Sequence, residues 1–433
     1  MLKTLSNRAF RHLFVAQVVS LIGTGLATVA LGLLAWHLAG DRAGAVLGTA
    51  LAIKMVAYVA LAPIASALAD RLPRRAFLVA LDLIRAVVIA LLPFVTGVWQ
   101  AYLLIFLLQA ASAGFTPAFQ STIPDLLPNQ ADYTRGLTLM RLAEDMEQVA
   151  SPMLAAALLT VVSFPVLFGG TVLGFLLSAL MVISVSLPAR RAEIGESFLH
   201  AVTKGLRIYA ATPRLRGLFL MEGAVAAAGA MVYVNTVVLV QAQLGLTQGY
   251  LALAFAAFGA GSMIAALCVP RLLDQMTERS LMLSGAAMMV LGVALVSLIQ
   301  GFGLLCGIWA LIGAGFAASQ VPIGRIVNRS AREEDRGSVF AAQFASSHAC
   351  WLVTYPLAGW LGTWLGLAAT SLTLAALGAA ALALVWRLWP VADPVTLAHS
   401  HNDLPPDHPH LQGHGAYHAH DFVIDPLHRH WPA

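Results

Sequence analysis

Charge is what this 433-residue chain has least of. Asp, Glu, Lys and Arg make up 11% of it, against about 25% in a soluble domain. So little charge cannot cover a water-soluble globule, and 59% of the residues are hydrophobic with a mean hydropathy of +0.80. The natural solvent is lipid. Cysteine is also scarce: Cys268, Cys306 and Cys350 each lie in an apolar run. With no CxxC pair, neither a disulfide framework nor a thiolate metal site is indicated. A P-loop, an HExxH and a Ser/His/Asp arrangement in context are missing, which points away from an enzyme. A net charge of +4 would suggest nucleic acid for a soluble chain. In this composition it belongs to membrane orientation instead. No cleavable signal peptide is read, because the first apolar run is long enough to span and lacks a cleavage-type ending.

What is present is a succession of long apolar runs. A helix needs about 20 apolar residues to cross the hydrocarbon core. Such runs lie near 14–38, 45–69, 76–95, 98–121, 136–163 and 164–187. After a polar stretch at 188–216, six more lie near 217–242, 248–270, 280–299, 302–326, 338–362 and 364–389. They are continuous rather than alternating, which predicts helices and not a barrel. Of the 25 Lys and Arg, 21 fall before the first run or after even-numbered ones, and the opposite loops hold only Arg42. The positive-inside rule makes the loaded face cytoplasmic, with both termini on it. The expected organisation is a six-helix half at 1–187, a cytoplasmic loop at 188–216, a second six-helix half at 217–389, and a polar cytoplasmic tail at 390–433.

The two halves share landmarks at a nearly constant offset. Asp70 and Arg75 precede Asp274 and Arg279 by 204 residues, Pro152 precedes Pro356 by 204, and Arg135-Gly136 precedes Arg336-Gly337 by 201. In order and at equivalent places, these argue for duplication, and parallel six-helix halves are a transporter architecture. The residues resemble the major facilitator superfamily, whose loop 2–3 signature resembles G-x-L-A-D-R-x-G-R-[RK]. The sequence here is Ser66-Ala67-Leu68-Ala69-Asp70-Arg71-Leu72-Pro73-Arg74-Arg75, with Ser66 and Pro73 at usual glycine positions. The resemblance extends to about residue 389. It implies an all-α integral membrane fold of twelve transmembrane helices in two pseudo-symmetric halves. Thr116-Pro117-Ala118-Phe119-Gln120, Ile123-Pro124-Asp125-Leu126-Leu127-Pro128 and Ser151-Pro152 resemble the branch holding siderophore exporters and nickel-resistance-type exporters. The span 4 arginine common in proton-coupled drug antiporters is missing, with Ile105 and Phe106 before Gln109.

Ionisable residues inside a membrane are costly and mark function by default. The fifth span is the richest, with Arg141, Glu144, Asp145, Gln148 and Pro152 on one helical face and Glu147 off it. A cation or proton site there competes with a structural ion pair. His348 lies 204 residues after Glu144, so the repeat puts the two on matching faces, as metal ligand, proton relay or packing residue. Lys54 and Glu222 are single charges inside long apolar runs and join the cavity candidates. Gln109 and Asn235 do so with less weight, and Asp82 and Arg85, at i and i+3, can pair with each other. On the loop 2–3 side, Asp70, Arg71, Arg74 and Arg75, with Asp274 and Arg279 in the second half, are expected to latch the two halves on the cytoplasmic face.

After Pro390 the chain turns polar and histidine-rich. His399/His401, His408/His410, His418/His420 and His428/His430 form i, i+2 pairs, and His414 stands alone. In an extended chain each pair projects to one side, and imidazole favours nickel, cobalt, zinc and copper. Composition predicts a segment disordered when free of metal. No cofactor is required. The expected partners are the lipid bilayer, protons and a small-molecule or ion substrate, with no nucleic acid. The leading expectation is a proton-coupled antiporter exporting a divalent transition metal such as nickel or cobalt from the cytoplasm by alternating access. Export of hydrophobic drugs or siderophores, and a non-transporting membrane metal sensor, are the alternatives.

Overall fold

The computed structural model describes residues 4–39, 43–69, 71–187, 198–394, 396–401, 405, 408–411, 415–425, 427–428 and 430–432. Asp70 and His414 lie outside the described residues, as do the side chains of Gln148 and Pro152. In hydrocarbon every backbone polar group must be satisfied within its own segment, and the chain answers with helices. The first half holds α1 (Arg8–Ala39), α2 (Ala43–Ala69), α3 (Arg74–Leu91), α4 (Val98–Gln120), the short α5 (Ile123–Leu126), α6 (Gln130–Leu159) and α7 (Phe164–Ile183). After α8 (Phe198–Ala211) come α9 (Pro213–Val237), α10 (Gln248–Leu272), α11 (Glu278–Leu295), α12 (Phe302–Gln320), the short α13 (Ile323–Arg329) and α14 (Arg336–Leu388).

Ten helices among the described residues are long and apolar enough to cross a membrane. The other two spans have physical explanations. Helix α14 runs 53 residues, but Gly366 sits at φ 76°, outside helical space, and divides it into two spans. Only glycine takes that conformation without strain. Helix α6 is 30 residues long and falls short on apolarity because it carries Arg141, Glu144, Asp145 and Glu147. It starts at Gln130, six residues before the apolar run, because the Asn129 side chain accepts from the amides of Ala131 and Asp132 at 3.0 and 3.1 Å. That is an N-cap. The count is therefore twelve transmembrane helices.

The halves meet along two seams, α2 against α14 and α6 against α10. The second half buries one large core around Met221, Met231, Phe258, Met289 and Trp309, while the first half is split between clusters around Phe10–Phe119 and Leu26–Phe168. Two regions expected to be irregular are ordered. The polar stretch at 188–216 contains α8, whose Ile208 and Tyr209 are buried. Gly205 lets α8 press on α14, since a Cβ there would lie 2.0 Å from the Ser338 carbonyl oxygen. The histidine tail, for which composition predicts disorder, forms an antiparallel hairpin of β1 (Thr396–Ser400) and β2 (Tyr417–Asp421), with His399 opposite His418. Phe422 and Ile424 enter the core of the second half, and Trp431 packs against it. These apolar residues give the tail the burial that its overall composition does not reveal.

Candidate functional site

A cavity of about 390 Å³ lies between the halves. The first half lines it with Gln17, Phe119, Gln120, Arg141 and Glu144, and the second with Glu222, Phe316, Gln320, Gln343, His348 and Trp351. Glu222, on α9, is 2% exposed and accepts hydrogen bonds from the amides of Gln320 at 3.1 Å and Gln343 at 3.4 Å. Among the described residues no cation pairs with it at ion-pair distance. Gln343 is fixed in turn, because its oxygen accepts from the Tyr209 hydroxyl on α8. His348 donates from Nδ1 to the Phe344 carbonyl at 2.7 Å and lies edge-on to Tyr58, ring centroids 4.7 Å apart. A carbonyl only accepts, so Nδ1 carries the proton and Nε2 of the neutral ring holds a lone pair. Glu144 and His348, 204 residues apart, do line one cavity.

The α6 stripe separates into two roles. Arg141 holds Glu144 at 3.1 Å and pairs more tightly with Asp145, and its guanidinium lies 4.7 Å from the Phe316 ring centre. Glu144 is 40% exposed in its side chain and faces the cavity, whereas Asp145 is 1% exposed. The Ser262 hydroxyl on α10 donates to Asp145 at 2.6 Å. Asp145 thus stands in the α6–α10 seam rather than on the cavity wall, a departure from the expected placement. Glu147 and Lys54 are also absent from that wall. Glu147 points toward α1, where Gly25 makes room, since a Cβ on Gly25 would come within 2.6 Å of its Oε1. Lys54 exerts its charge on Glu147 and lies 5.5 Å from the Tyr58 ring centre. Asp82 and Arg85 pair with each other, with Ser178 donating to Asp82 at 2.8 Å.

Ion pairs bridge the halves on the arginine-rich face, and of the residues expected to latch it only Arg74 takes part in them among the described residues. Asp125 on α5 accepts from Arg74 at 2.6 Å and from Arg336, at the start of α14, at 2.7 Å. One carboxylate thereby ties both halves. Arg325 adds a second tie, donating to Thr134 at 2.8 Å while paired with Glu278 at 2.8 Å. Arg71, Arg75 and Asp274 are exposed. Arg279 is buried, but it donates to the Trp389 carbonyl at 2.9 Å and so holds the end of α14 within its own half. Sequence reasoning quoted Asp125 in its motif without giving it a role. Gln120 likewise stood in a quoted motif without a role, and Gln320, 200 residues later at the end of α12, was missed. The spacing is close to the 201–204 of the repeat landmarks, which is the signal that could have found Gln320.

The tail carries a second constellation. The ligand nitrogens of His399, His401, His410, His418 and His420 all lie within 4.8 Å of one another. The Nε2 atom of His428 lies 3.1 Å from those of His399 and His401. His408 instead accepts the His410 amide on its Nδ1 at 3.2 Å, and His430 is exposed. Burial, then neighbouring imidazoles, lowers the pKa of His399 and His410 below the ordinary value. Burial also lowers that of His428, against the pull of Asp425. Burial alone would raise the Asp425 carboxyl, but bonds from the His428 amide and ring and the Leu427 amide outweigh it and hold it low. Neutral imidazoles beside an ionised carboxylate are the protonation states that metal ligation needs.

Residues 1–331 match the family described as transmembrane secretion effector, of the major facilitator superfamily. Macrolide efflux protein A of Streptococcus pyogenes is 24% identical over 225 residues, a match covering 49% of this chain and 54% of that one. The chain thus spans about half the length of that relative. An uncharacterised MFS-type transporter of Bacillus subtilis, YfiS, is 23% identical over 71% of this chain and 76% of its own. Among solved structures, the human organic anion transporter MFSD10 superposes with a TM-score of 0.76 at 16% identity, covering 87% of this chain and 99% of its own. A bacterial homologue of the iron transporter ferroportin, in an outward-facing state, superposes with a TM-score of 0.73 at 13% identity, covering 88% and 98%. With the family match over most of its length and the twelve-helix fold in hand, this chain is a multi-pass membrane protein belonging to the transmembrane secretion effector family of the major facilitator superfamily.

Proposed function

We propose that the protein is a secondary exporter of the cytoplasmic membrane that moves a divalent transition-metal cation, nickel or cobalt, against protons by alternating access. The arginine-rich face is cytoplasmic in this reading, as the positive-inside rule requires. The observation that carries it is the acidic cavity between the halves. Arg141 is matched by Asp145, which leaves Glu144 and Glu222 to give the site net negative charge, with His348 as an imidazole donor on the same wall. A buried carboxylate without a cationic partner must take up a proton or a cation. Glu222 is therefore suited to exchange one for the other. In this reading the Asp125–Arg336 tie holds the cytoplasmic side shut in one state, and its opening would admit cargo from the cell interior.

The test is efflux from cells preloaded with radioactive nickel or cobalt. Cells carrying the wild-type chain should lose the metal faster than cells with empty vector, and Glu222→Gln should abolish the difference. Equal efflux from wild type and vector overturns the metal reading. A second reading has its own support. Relatives named for macrolide efflux and the aromatic wall of Phe119, Phe316 and Trp351 suit a hydrophobic, cationic drug. The same cells preloaded with a macrolide distinguish the two.

A further inference from the structure

We propose that the tail is a folded site for one six-coordinate divalent metal ion, held by His399, His401, His410, His418, His420 and His428, and that it clasps the start of α14. The proposal is independent of what crosses the membrane, because none of these residues lines the cavity between the halves.

The argument begins with proton positions. His399 Nδ1 faces the Leu397 carbonyl at 3.0 Å, and His428 Nδ1 faces the Asp425 carboxylate at 2.8 Å. His418 and His420 likewise set Nδ1 on the carbonyls of Gly415 at 2.9 Å and Asp421 at 2.8 Å. These partners only accept, so in each neutral ring Nδ1 holds the proton and Nε2 a bare lone pair. Yet the Nε2 atoms of His399 and His428 are 3.1 Å apart. Two lone pairs cannot hydrogen-bond to each other, and His420 Nε2 is buried with no hydrogen-bond partner among the described residues. A cation among the Nε2 atoms resolves every one of these conflicts. The outward-turned Nδ1–H on a carbonyl or carboxylate is the arrangement that orients metal-bound histidine.

Spacing selects the coordination number. The Nε2 atoms of His399, His401 and His428 form a triangle with sides of 3.0, 3.1 and 3.1 Å, and His410 extends it at 3.1 Å to His401 and 3.2 Å to His418. Donors about 2.1 Å from an ion are about 3.0 Å apart at right angles and about 3.4 Å apart in a tetrahedron. The triangle matches one face of an octahedron. Zinc closes its structural sites with four ligands, so six imidazoles favour nickel or cobalt. The hairpin explains why these six meet. Residues i and i+2 on a strand share a face, which brings His418 and His420 to the cluster from β2, and the register sets His399 opposite His418. The pairs His408/His410 and His428/His430 each contribute one member only.

The clasp runs through Asp425. It holds His428 with one oxygen and lies 3.4 Å from Arg332 with the other. Arg332 precedes Asp335, which pairs with Lys204 of α8 at 2.7 Å, and Arg336, which reaches Asp125 across the halves. An ion at the cluster would fix Asp425 and with it the corner from which the inter-half tie springs.

The test titrates the purified full-length chain, stripped of metal, with nickel and with cobalt in a calorimeter. The site predicts one tight ion per chain, lost in His399→Ala. Asp425→Asn keeps all six ligands but loses the orienting carboxylate, and should bind the ion about 10–100-fold more weakly at the same stoichiometry. His408→Ala and His430→Ala should bind as the wild type does. Bound cobalt should give the weak visible spectrum of six-coordination, and nickel should raise the melting temperature of the wild type but not of His399→Ala. An intense tetrahedral cobalt spectrum, several equivalent ions per chain, wild-type affinity in Asp425→Asn, or loss of binding in His408→Ala would overturn it.

Discussion

At the scale of single residues, Glu144, Asp145 and Glu222 are distinguished by what touches them. Glu222 has two amide donors and a place on the cavity wall. Glu222→Gln keeps the volume and removes the charge, so transport should fall at least tenfold with unchanged abundance and melting temperature. Asp145 is different. Neutralising it leaves Arg141 buried with one carboxylate and takes the charge from the acceptor of the Ser262 bond. Breaking a buried pair costs about 3–5 kcal/mol, so Asp145→Asn should lower the melting temperature in detergent, whereas Glu144→Gln should not. Equal melting temperatures for the two variants would contradict the division between seam and cavity. This division was not legible in the sequence. The helical period put Arg141, Glu144 and Asp145 on one face correctly, but which of them meets α10 depends on the crossing of two helices that the period does not encode.

At the scale of elements, the spans follow from hydrophobic length and the basic residues at their ends, and both were readable. Helix α6 was recognisable despite its charges because Arg141, Glu144 and Asp145 fall on one stripe. The start of α6 was not, since the cap at Asn129 moves it into polar sequence. Helix α8 and the hairpin were missed for one physical reason: each is stabilised by packing on distant helices, through Gly205 on Ser338 and Phe422 in the second core, and local composition carries no record of that. The latch was half legible. Arg74 belongs to the loop 2–3 motif, but its partner Asp125 is 51 residues away and shared with Arg336. Asp125→Ala should therefore loosen the arginine-rich face, and a cysteine placed at Leu137 beside the cavity should react faster from that side in the variant than in the otherwise unaltered chain. Unchanged reactivity would show that Asp125 does not hold this side shut. For the hairpin, metal binding should weaken as pH falls below about 6.5, where protons compete for the imidazoles. The depressed pKa values of His399, His410 and His428 resist that competition in the folded tail, while the unfolded tail takes up protons. The contribution of these three histidines to the tail's stability is therefore present above about pH 6.5 and is lost as pH falls through their lowered values. Calorimetric titration at pH 7.5, 6.5 and 5.5 checks the direction.

At the scale of the whole molecule, residues 390–433 follow the last span, so from the sequence alone they contribute no membrane burial. The fold argues otherwise. Asp393 pairs with Arg329 at 2.5 Å and with the buried Arg214 at 3.3 Å, and Trp431 lies against that same guanidinium, 4.9 Å from its carbon. Removing residues 391–433 should lower the melting temperature, while removing 395–433, which spares Asp393, should lower it less. The basic residues on one face predict that an impermeant thiol reagent will not label a cysteine at position 200 or 410 from outside intact cells. The proposed exchange of a metal cation for protons in the acidic cavity is open to direct measurement. Its most direct test is nickel and cobalt flux in proteoliposomes with an imposed pH gradient, with a macrolide run in parallel. Metal should move uphill, stop when the gradient collapses, and fail to move in Glu222→Gln. Gradient-driven macrolide movement with no metal flux would contradict the proposed exchange.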